Sequence, residues 1–360
     1  MRKMPTFILA MALLIALAVW QWAVPADEFS EMENRVLAQK PTLSFENFWS
    51  GRYSEDLADF AADQIPLRDG FVATYAAMQA ALGRREVSDA LLGDDGFLFD
   101  TSAEYRSDYM LLNTGALTHL AELTGKEAYL LAVPSASAVY QEKVPEGALM
   151  NNEEQILREA YNQMQVIPLL DTMRASEEKL FYATDHHWTA AGARIGYEAV
   201  CEALKLTPLA PSEVVSVEGF YGSFYARYPL PWLEGDALTY EMPKGIRLLI
   251  EGEEQTKLTD EAVLQGRDKY AALLHGNHGR IELVNDSVEE GVLLVIKDSY
   301  ANALLPVLAQ HYHRIIAVDP RYFTGDITEL TAQYEGEVIL CVCGTSTLAA
   351  SRIIYMMEGI

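Results

Sequence analysis

The sequence predicts an α/β fold whose parallel sheet is covered by helices on both faces. The first sign is a set of short apolar runs without polar alternation: Ala128 to Val133, Val166 to Leu170, Val292 to Ile296, Ile315 to Val318 and Val338 to Val342. Strands buried on both faces read this way. The second is what separates them, namely stretches with helical periodicity over Leu112 to Leu123, Glu153 to Met164, Asp171 to Leu180, Ala190 to Leu204, Asn302 to His311 and Thr347 to Met357. Strands alternating with helices give a three-layer α/β/α arrangement. The third is a break in that rhythm from Ala210 to Ile281, which is rich in Tyr, Gly and Pro and carries short alternating runs such as Ile246 to Ile250. This segment reads as a β-rich insertion or lid.

At the N-terminus, Arg2 and Lys3 precede an uncharged, mostly apolar run from Thr6 to Val24. The run is long for a signal-peptide core, and Pro25 is awkward near a cleavage site, so an uncleaved signal anchor is the favoured reading over a cleaved peptide. With the basic residues kept inside, everything after it is extracytoplasmic. Next comes the polar stretch Glu31 to Leu43, then helices over Phe48 to Asp63 and Arg68 to Leu82 separated at Pro66. Gly93-Asp94-Asp95-Gly96 before Phe97-Leu98-Phe99 is a hairpin signal. The expected organisation is an anchor over 1–26, a helical and hairpin region over 27–109, and an α/β domain over 110–360 with its insertion at about 210–281.

A chain of 360 residues with 50% hydrophobic and 22% charged residues supports a sizeable core. A net charge of −25 argues against binding nucleic acid or anionic lipid through bulk electrostatics. The cysteines, Cys201, Cys341 and Cys343, show no disulfide or zinc-ligand spacing and read as small buried residues.

Chemistry concentrates in two places. Thr184-Asp185-His186-His187-Trp188-Thr189 sits just before a helix, and Lys297-Asp298-Ser299-Tyr300 directly follows a buried strand. In an extended segment residues i and i+2 share a side, so Asp185 and His187 face one way and His186 the other. A neutral Ser needs a base, and the base needs a group to hold its tautomer. The pattern offers Ser299 as nucleophile, His187 as base and Asp185 as the residue orienting it. The Ser299 and Tyr300 amides open a helix and are candidates for an oxyanion hole, with Gly276 and Asn277 as further candidates. A metal reading draws on Asp185, His186, His187, His275, His278 and Asp298, but adjacent histidines point apart in an extended segment and no i, i+4 pair exists. No metal or other cofactor is assigned. A cell-surface assembly or glycan-binding protein that keeps the fold without turnover is the remaining alternative.

The motif Asp185-His186-His187-Trp188 resembles the signature of the DHHW family of bacterial cell-surface proteins. Glu33-Asn34-Arg35, Asp63-Gln64-Ile65-Pro66-Leu67-Arg68, Asp95-Gly96-Phe97-Leu98, Tyr270 with Gly276-Asn277, Lys297 to Asn302 and Val318-Asp319-Pro320-Arg321-Tyr322 fit the same pattern. The chain is also similar, more weakly, to the periplasmic alginate O-acetyltransferases of the SGNH hydrolase-like superfamily. That resemblance implies a flavodoxin-like parallel sheet, circularly permuted because the Asp-Ser block comes late, with Lys297 where the usual block has Gly. It implies a Ser299–His187–Asp185 triad, substrate contacts that include Trp188, Tyr270 and Arg321, and an O-acetyltransferase or esterase acting on a cell-envelope or secreted polysaccharide. The partners implied are a glycan, the membrane through the anchor, and an acyl donor supplied by a membrane acyltransferase.

Overall fold

A computed structural model of the chain describes residues 4–33, 35–102 and 104–360. Arg2, Lys3 and Asn34, which enter the anchor reading and the Glu33-Asn34-Arg35 motif, lie outside the described residues. The chain divides into two compact units: Met1–Val87 with Tyr225–Leu233, and Ser88–Phe224 with Glu234–Ile360.

The first unit begins with helix α1, Met4–Ala23. Its segment Pro5–Ala23 has mean hydropathy 2.0 and none of it is buried, so it is long and apolar enough to cross a membrane. Three helices follow: α2 (Phe45–Trp49), α3 (Arg52–Asp63) and α4 (Arg68–Ala81). Ser44 caps α2 by accepting from the Asn47 amide at 3.1 Å. Gly51, at φ 84°, separates α2 from α3, where the sequence reads one continuous helix. The end of α1 is tied to α3, since Gln21 Nε2 donates to the Ala61 carbonyl at 3.1 Å and the Trp22 and Phe60 rings lie 5.7 Å apart. Two of the motif pieces meet here. Arg35 Nη1 donates to Asp63 at 2.8 Å, and Arg68 pairs with Glu33 at 2.6 Å.

The second unit is built on one sheet of eight strands: β1 (Glu127–Val133), β2 (Gln165–Val166), β3 (Ile246–Ile250), β4 (Glu253–Gln255), β5 (Arg280–Asn285), β6 (Val292–Lys297), β7 (Arg314–Val318) and β8 (Val338–Gly344). Their order is β4-β3-β5-β7-β6-β8-β1-β2. The block β7-β6-β8-β1-β2 is parallel. Its central strands are the uninterrupted apolar runs, and Leu293 to Ile296 and Ile339 to Val342 are all buried. Ser107–Thr124 packs with Glu153–Tyr161, Ile327–Ala332 and Thr345–Ala350, while Ala190–Ala203 packs with Ala301–Leu308. The fold is the mixed α/β, parallel-rich sheet that the sequence predicts.

The differences from expectation are local. The insertion is not a separate β lid throughout. Its strands β3 and β4 extend the main sheet: β5 pairs antiparallel with β7, β3 with β5 and β4 with β3. Val214–Phe220 and Asp236–Glu241 form their own hairpin. The run Val166 to Leu170 is strand only at Gln165–Val166, and its end already starts the short helix Leu170–Arg174. The last helix stops at Ala350 because Ser351 turns extended, at φ −145° and ψ 161°. The hairpin turn at Asp94–Gly96 is present, with Asp95 at φ 54°. All three cysteines are buried free thiols.

Candidate functional site

Ser299 follows the carboxyl end of the buried parallel strand β6, where open α/β sheets carry their sites. Asp298 builds the turn around it. Its Oδ1 accepts from the Tyr300 amide at 3.0 Å, and its Oδ2 accepts from the Gly344 amide at 2.8 Å and the Thr347 hydroxyl at 2.7 Å. These bonds clamp the loop onto the end of β8, next door in the sheet. A side chain at Gly344 would lie 2.7 Å from the Tyr300 ring, so glycine is what lets the two loops close up. Asp298 is therefore a brace for the loop. Because the Tyr300 amide is spent on Asp298, the expected Tyr300 donor is occupied, and the Ser299 amide is the backbone donor left at the turn among the described residues.

The Asp-His-His-Trp segment runs as a series of bends ahead of the helix Ala190–Ala203, which Thr189 caps by accepting from the Gly192 amide at 3.3 Å. The extended-strand expectation fails here. The His186 and His187 rings lie side by side, with centroids 3.8 Å apart, instead of pointing to opposite faces. Two hydrogen bonds lock this segment to the Ser299 turn. Trp188 Nε1 donates to the Tyr300 carbonyl at 2.9 Å, and the Tyr300 hydroxyl donates to the His186 carbonyl at 2.7 Å.

The result is one line of three side chains. The Ser299 hydroxyl lies 2.8 Å from His187 Nε2, and His187 Nδ1 lies 2.5 Å from Asp185 Oδ1. A carboxylate beside Nδ1 requires that nitrogen to carry the proton, which leaves Nε2 as an acceptor facing the Ser299 hydroxyl. Asp185 and His187 are buried, and Ser299 is half-buried. Asp185 is saturated: Oδ1 also accepts from the His187 amide at 2.9 Å, and Oδ2 accepts from the Ser223 amide at 2.8 Å and the Ser223 hydroxyl at 2.9 Å. Burial by itself raises this carboxyl, but the neighbouring imidazoles and the hydrogen bonds from His187 outweigh it and hold it well below the usual carboxylate range. A Cβ on Gly222 would stand 2.2 Å from the Asp185 Cβ, so the close approach of Ser223 needs that glycine.

The remaining sequence candidates fall into two groups. Tyr270 is buried and its ring stacks on His187, with centroids 3.6 Å apart and planes at 10°, while its hydroxyl donates to the Ser299 carbonyl at 3.2 Å. Trp188 is fully buried, so it acts from the core side as a tie and not as a substrate surface. Gly276 and Asn277 sit on the loop before β5, within reach of residues flanking Ser299: Asn302 Nδ2 donates to the Gly276 carbonyl at 3.1 Å. Arg321 is bound to the buried Asp319 at 2.6 Å.

For a metal, ligand atoms of Asp185, His186 and His187 lie within 4.8 Å of one another, which the extended-segment argument did not allow. In this arrangement both Asp185 oxygens already serve His187 and Ser223. His186 Nδ1 meets the Ser223 hydroxyl at 2.9 Å, and burial, then His187, lowers its ring below the ordinary histidine range. His275 and His278 each contact a backbone carbonyl, as in a plain turn.

Sequence reasoning missed Ser223 and Asp236. Asp236 accepts from the amides of Ala183 and Thr184 at 3.1 and 2.9 Å, from the Thr184 hydroxyl at 2.7 Å and from Lys179 at 2.6 Å. It shapes the chain entering the motif. Neither residue carries a local signal apart from Gly222 preceding Ser223.

Comparison with known proteins agrees with this architecture. A family model described as SGNH hydrolase-like domain, acetyltransferase AlgX, matches residues 91–217, and one described as DHHW protein matches residues 161–318. The resemblance read from the motifs is thus present in both family models, and the second range holds Asp185, His187 and Ser299. A DHHW family protein from Eubacterium siraeum superposes with TM-score 0.63 at 20% identity, covering 75% of this chain and 95% of its own. Bacillus cereus PatB1, solved with a sulfonyl adduct, superposes with TM-score 0.61 at 18% identity, covering 75% of this chain and 97% of its own. At such identities the likeness is one of fold. No curated protein matches the chain in sequence.

Proposed function

We propose that the protein is an extracytoplasmic, membrane-anchored serine O-acyltransferase or esterase of the SGNH-like kind, acting on O-acetyl groups of a cell-envelope or secreted polysaccharide. The observation that carries the reading is the hydrogen-bonded line Asp185–His187–Ser299 at the carboxyl edge of a parallel sheet. The name of the matched acetyltransferase family supports acetyl as the group moved, and the exposed apolar helix α1 supports the membrane location.

The chemistry follows from the geometry. His187 Nε2 takes the Ser299 proton as Oγ attacks the acetyl carbonyl, and Asp185 stabilises the imidazolium that results. The Ser299 amide, with a donor from the Gly276-Asn277 loop, faces the negative charge that develops on the carbonyl oxygen. Collapse of the tetrahedral intermediate releases the first alcohol with the proton from His187 and leaves an acetyl-serine. A sugar hydroxyl or water then reverses the sequence. The acyl donor on this reading comes from a membrane acyltransferase.

A sulfonyl fluoride tests the nucleophile. Full-length protein in detergent is expected to take one sulfonyl group on Ser299, located by peptide mass, and to lose its hydrolysis of a p-nitrophenyl acetate probe in parallel. Wild type that takes no label, cleaves no ester and transfers no acetyl group sinks the reading and leaves the binding role.

A further inference from the structure

The loop before β5 is held in a costly conformation. Leu274, His275 and Gly276 are consecutive left-handed residues, at φ 52°, 59° and 89°. Only glycine adopts that region at little cost, so such a run persists where its surroundings over-determine it. Here the Leu274 amide donates to the Leu258 carbonyl at 3.0 Å, and Asn302 Nδ2 donates to the Gly276 carbonyl at 3.1 Å.

Behind the loop lies Lys297, fully buried two residues before Ser299. Its Nζ donates to Asn302 Oδ1 at 2.7 Å and to Asn277 Oδ1 at 3.4 Å. It makes no ion pair among the described residues. Burial, opposed by the charges of Asp319 and Asp298, lowers the ammonium to about 8. A buried cation held by amide oxygens costs stability that an apolar side chain would not. What it supplies is orientation. An ammonium has donors and no acceptor, so both facing amides must turn their oxygens towards it. Asn302 Nδ2 then reaches Gly276 and also Asn277 Oδ1 at 3.4 Å. Asn277 Nδ2 is left without an acceptor among the described residues, on a half-buried side chain held by the residues two before and three after Ser299.

We propose that Lys297 is a positioning residue: together with Asn302 it sets the Asn277 amide so that Nδ2 is free to donate to the oxyanion formed at Ser299. This rests on the acyl-transfer reading above. Wild-type ester turnover that disappears in Ser299→Ala secures that reading separately, and the present inference is then judged against wild-type rates.

Asn277→Asp separates a donor from a brace. The carboxylate keeps the oxygen facing Lys297 and pairs with it, but loses the N–H. The expected result is a kcat for the acetyl ester lower by about 100-fold, with KM changed less than about twofold, as when one oxyanion donor is removed. Lys297→Met is expected to lower kcat by at least about tenfold in the wild-type background and to add almost nothing in an Asn277→Ala background, because the two residues act through one amide. A purely structural lysine would give additive losses. Should Lys297→Met fail to fold, Asn302→Ala takes its place in the same comparison with the Asn277→Ala background, because Asn302 links Lys297 to the Asn277 amide. Wild-type kcat in Asn277→Asp, or full additivity in the double mutant, overturns the proposal.

Discussion

At the residue scale the site depends on one imidazole held between two oxygens. Ser299→Ala removes the attacking oxygen and little volume from a half-buried position, so the fold is expected to survive with a stability change of about 1 kcal/mol or less. Hydrolysis of an acetyl ester is expected to fall by at least about 1,000-fold, and His187→Ala to do similar damage. The double mutant is expected to be scarcely slower than either single, since a base without a nucleophile contributes nothing. Steady-state kinetics on the three variants checks this, and a double-mutant loss equal to the product of the single losses would show that the residues do not act as a unit. The meeting of Asp185, His187 and Ser299 was legible in the sequence because Asp-x-His and Asp-Ser are short patterns with a chemical meaning. The relative placing of His186 was not. Alternation holds only in extended backbone, and this segment bends so that the two imidazoles lie side by side.

At the element scale the segment entering the motif is set by a hairpin remote in sequence. Asp236, buried at the start of the strand Asp236–Glu241, accepts four hydrogen bonds from Lys179, Ala183 and Thr184, up to 57 residues away. Asp236→Ala leaves buried amides unpaired, so a loss of about 3 kcal/mol is expected by denaturant titration, with ester turnover falling as Asp185 loses its support. A drop under about 0.5 kcal/mol would mean the hairpin is not what shapes the loop. No local pattern announces such a residue. The buried strands β1, β6 and β8 were legible for the opposite reason, since an unbroken apolar run fits a two-sided burial whatever its neighbours are. The place of β3 and β4 at the antiparallel end of the sheet was not, because it depends on β3 pairing with β5 and β4 with β3, and not on their own side chains. In the first unit the hydrogen bond from Arg35, against the opposing effect of burial and helped by the Ala38 amide, lowers Asp63 to about 2. The unfolded carboxyl titrates near about 4, so the stabilisation is complete above that pH and is lost as pH falls from about 4 to about 2. Protease susceptibility of the segment between α1 and α4 is expected to rise through that window, and the rise to be smaller in Asp63→Asn. An unchanged acid profile in Asp63→Asn would remove this pair from the account.

At the scale of the whole molecule the dominant fact is charge: −25 over 360 residues. A field of that sign repels polyanions and leaves neutral glycans untouched, and salt screens it over a Debye length of about 8 Å at physiological ionic strength. One of the two matched family names points to acetyl transfer but leaves the charge of the acceptor open, so on the proposed function ionic strength becomes a way of asking which glycans the protein meets. With an O-acetylated neutral glycan, kcat/KM is expected to stay flat between about 20 and 300 mM salt. With an O-acetylated polyuronate of similar length, kcat/KM is expected to start lower and to rise with salt, because screening removes the repulsion that slows encounter, while kcat stays constant. The opposite slope, a polyuronate rate that falls as salt is added, would mean that local cations override the net charge at the point of contact. Arg321 is the first residue to test then. It is exposed, but its guanidinium is already bound to Asp319 at 2.6 Å, so it has little charge to spare for a polyanion. That pairing is why the flat neutral-glycan profile and the rising polyuronate profile are the expected pair.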